Sequence, residues 1–316
     1  VKRLVAAACC LLVLSACSRP HERSDLSVGK DAARTSEINQ VFERYRLVRN
    51  AAIKLLDPRP LSTVESDAVL DIDSGSFEVS QRLAQKQKQD TSAIDVTRVV
   101  TPHFAKYPLW FLAVVRDKAK GVNRIQIFER AQAVDPWLLV ASPETVSEID
   151  LPELRSTGSK VMTVAPDNGK GMALSAQAAA TAYAATLGNA ASPEAKTVVN
   201  DSFIRQMRAA AASSTGLSGV KFAQRWTAEN VRFVLRTADG GALAFVTLLR
   251  YDTYKVKSGL TVSWPEGTPQ QAFLSTGISG SGTLQYKHQV LLHLPGGNGK
   301  PRAIGQYGGV VGAVNE

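Results

Sequence analysis

The sequence predicts an α+β fold in two similar halves, each placing helices before a curved antiparallel sheet. Helical periodicity opens each half, at 35–70 and again at 173–212. Short β-branched or aromatic runs follow, at 94–141 and 231–314, bounded by turn residues. A stretch with two prolines and several glycines, 151–172, separates the halves. Helices first and hairpin-linked strands second point to α+β packing, not to a parallel sheet.

In the first half, Ile38, Val41, Phe42, Tyr45, Val48, Ala52, Ile53 and Leu56 recur at three- and four-residue steps. They predict an amphipathic helix from Thr35 to Leu56, stopped by Asp57-Pro58-Arg59-Pro60. A second helix is expected over Ser62–Leu70 and a weaker one from Ser76 into the polar Gln81–Gln89 segment. Strands are expected at Ile94–Val100, Pro108–Val115, Arg124–Arg130 and Trp137–Ala141, with a hairpin turn at 118–123. In the second half, helices are expected at Ala173–Leu187 and Pro193–Ala212. Strands are expected around Val231–Arg236 and at Ala242–Arg250, Leu260–Trp264, Thr283–Leu294 and Arg302–Val314. A cystatin-like or NTF2-like cone is the simplest form for each half, and such folds host binding, catalysis and scaffolding alike.

The first residues carry an address. Lys2 and Arg3 precede an uncharged apolar core, Leu4–Leu14, which is too short to span a bilayer. It fits a secretory signal peptide. Leu14-Ser15-Ala16-Cys17 resembles the bacterial lipobox, in which the cysteine thiol is acylated and the chain is cut before it. All three cysteines lie at or before position 17, so Cys9 and Cys10 leave with the peptide and Cys17 becomes the lipidated N-terminus. Two acyl chains give stable anchoring, at about 0.8 kcal/mol per buried methylene. The expected organisation is a signal peptide at 1–16, a flexible tether at 17–34, domain 1 at 35–150, a linker at 151–172 and domain 2 at 173–316.

The full sequence has formal charge +9; cleavage removes Lys2 and Arg3 and no acid, leaving 35 basic and 28 acidic residues, or +7. That excess is read first as solubility, with anionic lipid heads or acidic wall polymers as the alternative partners. Nucleic acid is disfavoured by the export address and by the lack of a Lys/Arg block.

Catalytic motifs fail on context. Ser27-Val28-Gly29-Lys30 and Lys257-Ser258-Gly259 match elements of penicillin-recognising serine enzymes, but Ser27 lies in the tether and no S-D-N stands between them. Gly277–Gly282 lacks the fifth-position glycine of a nucleophile elbow, and Gly299-Lys300 is no P-loop. His288 and His293 share a predicted strand at odd spacing and so point to opposite faces. Asp71-Ile72-Asp73-Ser74-Gly75 has its glycine one position early for a calcium loop and reads as a solvated turn. Arg232 and Arg236 read as a solvated strand face, with an anionic ligand as the alternative, and the aromatics read mainly as core. No catalytic, cofactor-binding or metal-binding residue is assigned.

Tyr107-Pro108-Leu109-Trp110-Phe111, Pro136-Trp137, Arg236–Leu243 and Gly305–Gly309 together resemble a family of secreted actinomycete lipoproteins of unknown function. The resemblance runs from about Glu37 to Val314 and implies a lipid-anchored protein on the outer face of the plasma membrane. It carries no catalytic residue across. Glu65-Ser66-Asp67 departs from the E-T-G of similar proteins, so no role is assigned there. The expectation is a non-catalytic binding module of the cell envelope. The alternatives are an envelope hydrolase using paired carboxylates or an accessory factor for another exported protein.

Overall fold

In the computed structural model, the described residues are 30–87, 95–146, 151–157 and 160–315. Positions 1–29, which include Cys17, Ser27, the expected signal peptide and most of the expected tether, lie outside them.

Strand β1 (Lys30–Asp31) leads into helix α1 (Thr35–Leu55), which buries Ile38, Val41, Phe42, Ala52 and Ile53, as its periodicity predicts. Leu56 takes a left-handed φ of 50°, and the Asp57 N–H returns to the Ala52 carbonyl at 3.1 Å, closing the helix. After a 3-10 turn at Arg59–Thr63 comes α2 (Asp67–Arg82). The Asp71–Gly75 segment, expected as a solvated turn, is the middle of this helix, with Ile72, Asp73 and Gly75 buried. Tertiary packing explains the difference. A Cβ on Gly75 would stand 2.3 Å from the Val310 carbonyl oxygen, so glycine lets the helix lie directly on a strand of the other half.

The first half continues with β2 (Asp95–Val100), β3 (His103–Phe104), β4 (Leu109–Asp117), β5 (Val122–Arg130), β6 (Leu138–Ala141) and β7 (Glu144–Val146). The expected hairpin joins β4 to β5, with Gly121 at φ 65°. The connecting segment holds the short strands β8 (Ser156–Thr157) and β9 (Lys160–Val161), and its Leu154 and Val164 are buried.

The second half begins with α3 (Ala176–Gly188), capped by the Ser175 hydroxyl, which accepts the Ala178 N–H at 3.2 Å. A 3-10 turn at Pro193–Lys196 precedes α4 (Ser202–Thr215). The Asp201 carboxylate caps α4 and also accepts the Tyr183 hydroxyl of α3 and the Ala303 N–H. Then follow β10 (Val220–Ala228), β11 (Phe233–Arg236), β12 (Ala242–Val256), the short helix α5 (Pro269–Phe273), β13 (Ser281–Leu294) and β14 (Arg302–Asn315). Leu260–Trp264, expected as a strand, makes only an isolated bridge from Val262 to Ile278.

Ten strands form one antiparallel sheet in the order β10-β12-β13-β14-β7-β5-β4-β2, with β11 beside β12 and β6 beside β5. The halves join where Gln306 of β14 pairs with Glu144 of β7. On β4, Phe111 and Ala113 face α1, while Trp110, Leu112 and Val114 turn the other way. These last pack with Leu235, Leu243, Phe245 and Leu291 of the second half. The alternate residues of β12 and β13, among them Ala244, Val246, Val290 and Leu292, pack beneath α3 and α4. Through the molecule the layers run helix, strands, shared core, strands, helices. The α+β class stands, but two similar domains are not shown, because one sheet and one core cross both halves and α2 lies on β13 and β14.

Candidate functional site

The junction of the halves holds a buried cluster of acids. Arg49 and Tyr45 lie one turn apart on α1 and so share a face. Glu65 sits just before α2, in a segment tied to β6 by the Leu139 N–H to the Val64 carbonyl at 2.8 Å. Asp73 comes from α2 and Tyr307 from β14. The Arg49 guanidinium donates to Glu65 Oε1 at 3.1 Å and to Asp73. Tyr45 donates to the same Glu65 oxygen at 3.0 Å, and Tyr307 donates to Asp73.

Glu65 is fully buried, and its Oε2 has no partner. Burial, followed by the neighbouring Asp73 charge, pushes its carboxyl up to about 8, against the pull of Arg49. At neutral pH it is therefore a protonated acid beside an Arg49–Asp73 ion pair. Burial also raises the Tyr45 and Tyr307 hydroxyls well above their ordinary value.

A hydrolase needs two carboxylates facing each other across a substrate, roughly 5–9.5 Å apart for glycosides. Here both bind one guanidinium. The cavity beside them, lined by Arg49, Asp73, Tyr307, Lys120, Arg124 and Glu144, is about 50 Å³. That volume holds a water or two, whereas small-molecule sites take about 300–1,000 Å³. Arg124 is itself spent on Glu144 at 3.0 Å and Asp117 at 2.9 Å. The cluster fits a clasp between α1, α2 and β14 better than a reaction centre.

A second cluster, around the buried Arg250, lies under α4. Arg250 and Asp252 share one face of β12, and Arg250 Nε donates to Asp252 Oδ1 at 2.9 Å. Gln224 of β10 donates to the same oxygen at 2.9 Å and accepts the Trp226 indole N–H at 2.7 Å. The guanidinium stands 4.3 Å from the Tyr286 ring centre and 5.6 Å from that of Trp226. His288 completes the cage, against Phe203, Trp226 and Tyr286, and neither ring nitrogen has a partner. Burial, then the Arg250 charge, pushes it down to about 3, so it is a neutral core ring.

A family model described as a domain of unknown function, DUF8094, matches residues 30–315. The chain belongs to that family. A protein of Streptomyces avermitilis named "Uncharacterized lipoprotein" is 24% identical over 288 residues, covering 86% of this chain and 84% of that protein. No solved structure matches.

In this DUF8094 chain the residues singled out from the sequence are dispersed. Cys17 lies outside the described residues. Arg232, expected as a solvated face, spans the halves by pairing with Asp67 at 2.8 Å and with Glu129. Arg236 holds a turn, donating to the Lys170 and Gly240 carbonyls at 3.0 and 2.8 Å. His288 and His293 point to opposite faces of β13, and His103 pairs with Asp31 at 3.2 Å. Among the described residues no group of His, Cys, Asp and Glu is arranged to hold a metal ion, and no helix is long and apolar enough to cross a membrane. Sequence reasoning read Asp73 as part of a solvated turn and gave Glu65 no role, because their partners at positions 45, 49 and 307 carry no local spacing signal.

Proposed function

We propose that this protein is a lipid-anchored, extracytoplasmic binding module, held at the outer face of the plasma membrane by acylated Cys17. One observation carries the address: Leu14-Ser15-Ala16-Cys17 stands at the end of a secretory core in a chain that matches a named lipoprotein over 86% of its length. A binding role is favoured over hydrolysis because the buried Glu65–Asp73 pair is engaged by a single guanidinium beside a cavity of about 50 Å³. The helix-then-strands order of 35–150 and 173–316 also supports reading the halves, linked through 151–172, as two related cone-like units of cystatin or NTF2 type. The test of the address is metabolic labelling with palmitate in the native host. The wild type takes up label and fractionates with membranes, and Cys17→Ala loses both. Label retained by Cys17→Ala would overturn the assignment.

A further inference from the structure

Beyond Leu243, Phe245 and Leu291, which pack in the shared core, the same face of the second-half strands is left open toward Lys255 and carries unbalanced positive charge. Register places Lys221 of β10 opposite Lys255 of β12, and Arg225 opposite Tyr251. The next strand brings Thr283 beside Thr253, Gln285 beside Tyr251 and Lys287 beside Leu249. The Thr253 and Thr283 hydroxyls lie 3.0 Å apart and the Arg225 guanidinium stands 4.3 Å from the Tyr251 ring centre, so these side chains share one face. Lys221, Ala223, Arg225 and Lys255 are exposed; Tyr251, Thr253, Thr283, Gln285 and Lys287 are half-buried.

The strands β10, β12, β13 and β14 contain a single acidic residue, Asp252, and it lies on the opposite face, bonded to Arg250. Lys287 reaches Asp71 of α2; among the described residues Lys221, Arg225 and Lys255 have no acidic partner. Like charges directly opposite across a ladder destabilise it. Edge strands do carry lysines that discourage aggregation, and this accounts for the cations of β10. It does not account for Lys255, which lies on an interior strand.

We propose that this face binds a phosphate-bearing polyanionic polymer, with Lys221 and Lys255 clamping one anionic group and Arg225, stacked on Tyr251, forking onto the next. Lys221 and Arg225 are four residues apart, about 13 Å along the strand, and Lys255 faces Lys221 across the ladder. That footprint suits several successive charges of a chain. The Gln285 amide and the threonine hydroxyls supply neutral contacts to sugar or polyol hydroxyls. A polymer is favoured over lipid headgroups because Lys221 and Arg225 set cations in a row along one strand, a spacing that suits successive charges of a single chain. The proposal rests on the binding-module reading and names its ligand class.

The test is the affinity of the acylated full-length protein, in neutral detergent micelles, for long-chain inorganic polyphosphate. Lys221→Glu/Lys255→Glu is compared with Lys54→Glu/Lys196→Glu, which makes the same change in net charge at exposed sites elsewhere. The face variant is expected to lose about tenfold in affinity, with wild-type binding weakening as salt rises, and the control to stay within about twofold. Equal losses in both variants, or no binding by the wild type, would overturn the proposal. So would a face variant that keeps its polyphosphate affinity but loses retention on phosphatidylglycerol micelles, since the ligand would then be lipid. Lys221→Gln/Lys255→Gln, with an unchanged near-ultraviolet circular dichroism spectrum, separates lost binding from misfolding. Palmitate labelling reads the anchor independently, so a failed anchor and a failed ligand give different results.

Discussion

Around Arg49, and again around Arg250, the guanidinium meets a buried acid, and aromatic rings or hydroxyls close over it. On the reverse face of the strands that bury Arg250, Lys221 faces Lys255 and Arg225 lies over the Tyr251 ring. The contrast separates two uses of charge. Buried groups must be paired because an unpartnered charge in low dielectric is costly. Exposed groups can be left unpaired at little cost and remain available to something outside. On this view the Arg49 cluster clasps the two halves, the Arg250 cluster ties β10 to β12 within the second half, and the open face works.

The largest test of that contrast is Arg49→Met. It strands Asp73, which is 2% exposed, without its counterion. The expected loss is about 3 kcal/mol of unfolding free energy in urea melts, in one transition for both halves because their core is shared. A loss within about 0.5 kcal/mol, the range of an ordinary surface change, would break the clasp reading. Glu65→Gln is milder. Glutamine mimics the protonated carboxyl, so at pH 7 the cost is expected within about 1 kcal/mol.

Its clearer signature is in pH dependence. The folded carboxyl is raised to about 8 from its ordinary 4.5. Between those values the unfolded chain releases the proton and the folded chain keeps it. The stability this group contributes is therefore fully present below about 4.5, falls as pH rises through the window, and levels off above about 8. Melts from pH 5 to 9 should show that decline in the wild type and a flatter profile in Glu65→Gln. Parallel profiles would mean that Glu65 is ionised in the fold.

Much of this fold is legible in the sequence because burial there follows a simple period. The stripe Ile38, Val41, Phe42, Ala52, Ile53 reads as α1, and the alternating β11 and the apolar β12 show themselves in the same way. Strand β10 does not, because two of its inward partners across the ladder are Arg250 and Asp252, and Gln224 sits among them. A polar network satisfied only in three dimensions erases the hydrophobic alternation that marks a strand. Helix α2 was hidden by Asp71, Asp73 and Gly75, whose acids and missing side chain are explained by Lys287, Arg49 and Val310, each distant in sequence. The carboxylate cluster was illegible for the same reason, since long-range register alone brings Tyr307 to Asp73.

The most direct measurement is the thermal midpoint of wild type and Lys221→Gln/Lys255→Gln, each with and without polyphosphate. A ligand that binds only the folded state raises the midpoint. The account predicts that the unliganded variant melts at or above the wild type, because a repulsive cross-strand pair is gone, and that it loses the upward shift polyphosphate gives the wild type. A variant that melts well below the wild type, or one that keeps the full shift, would contradict it.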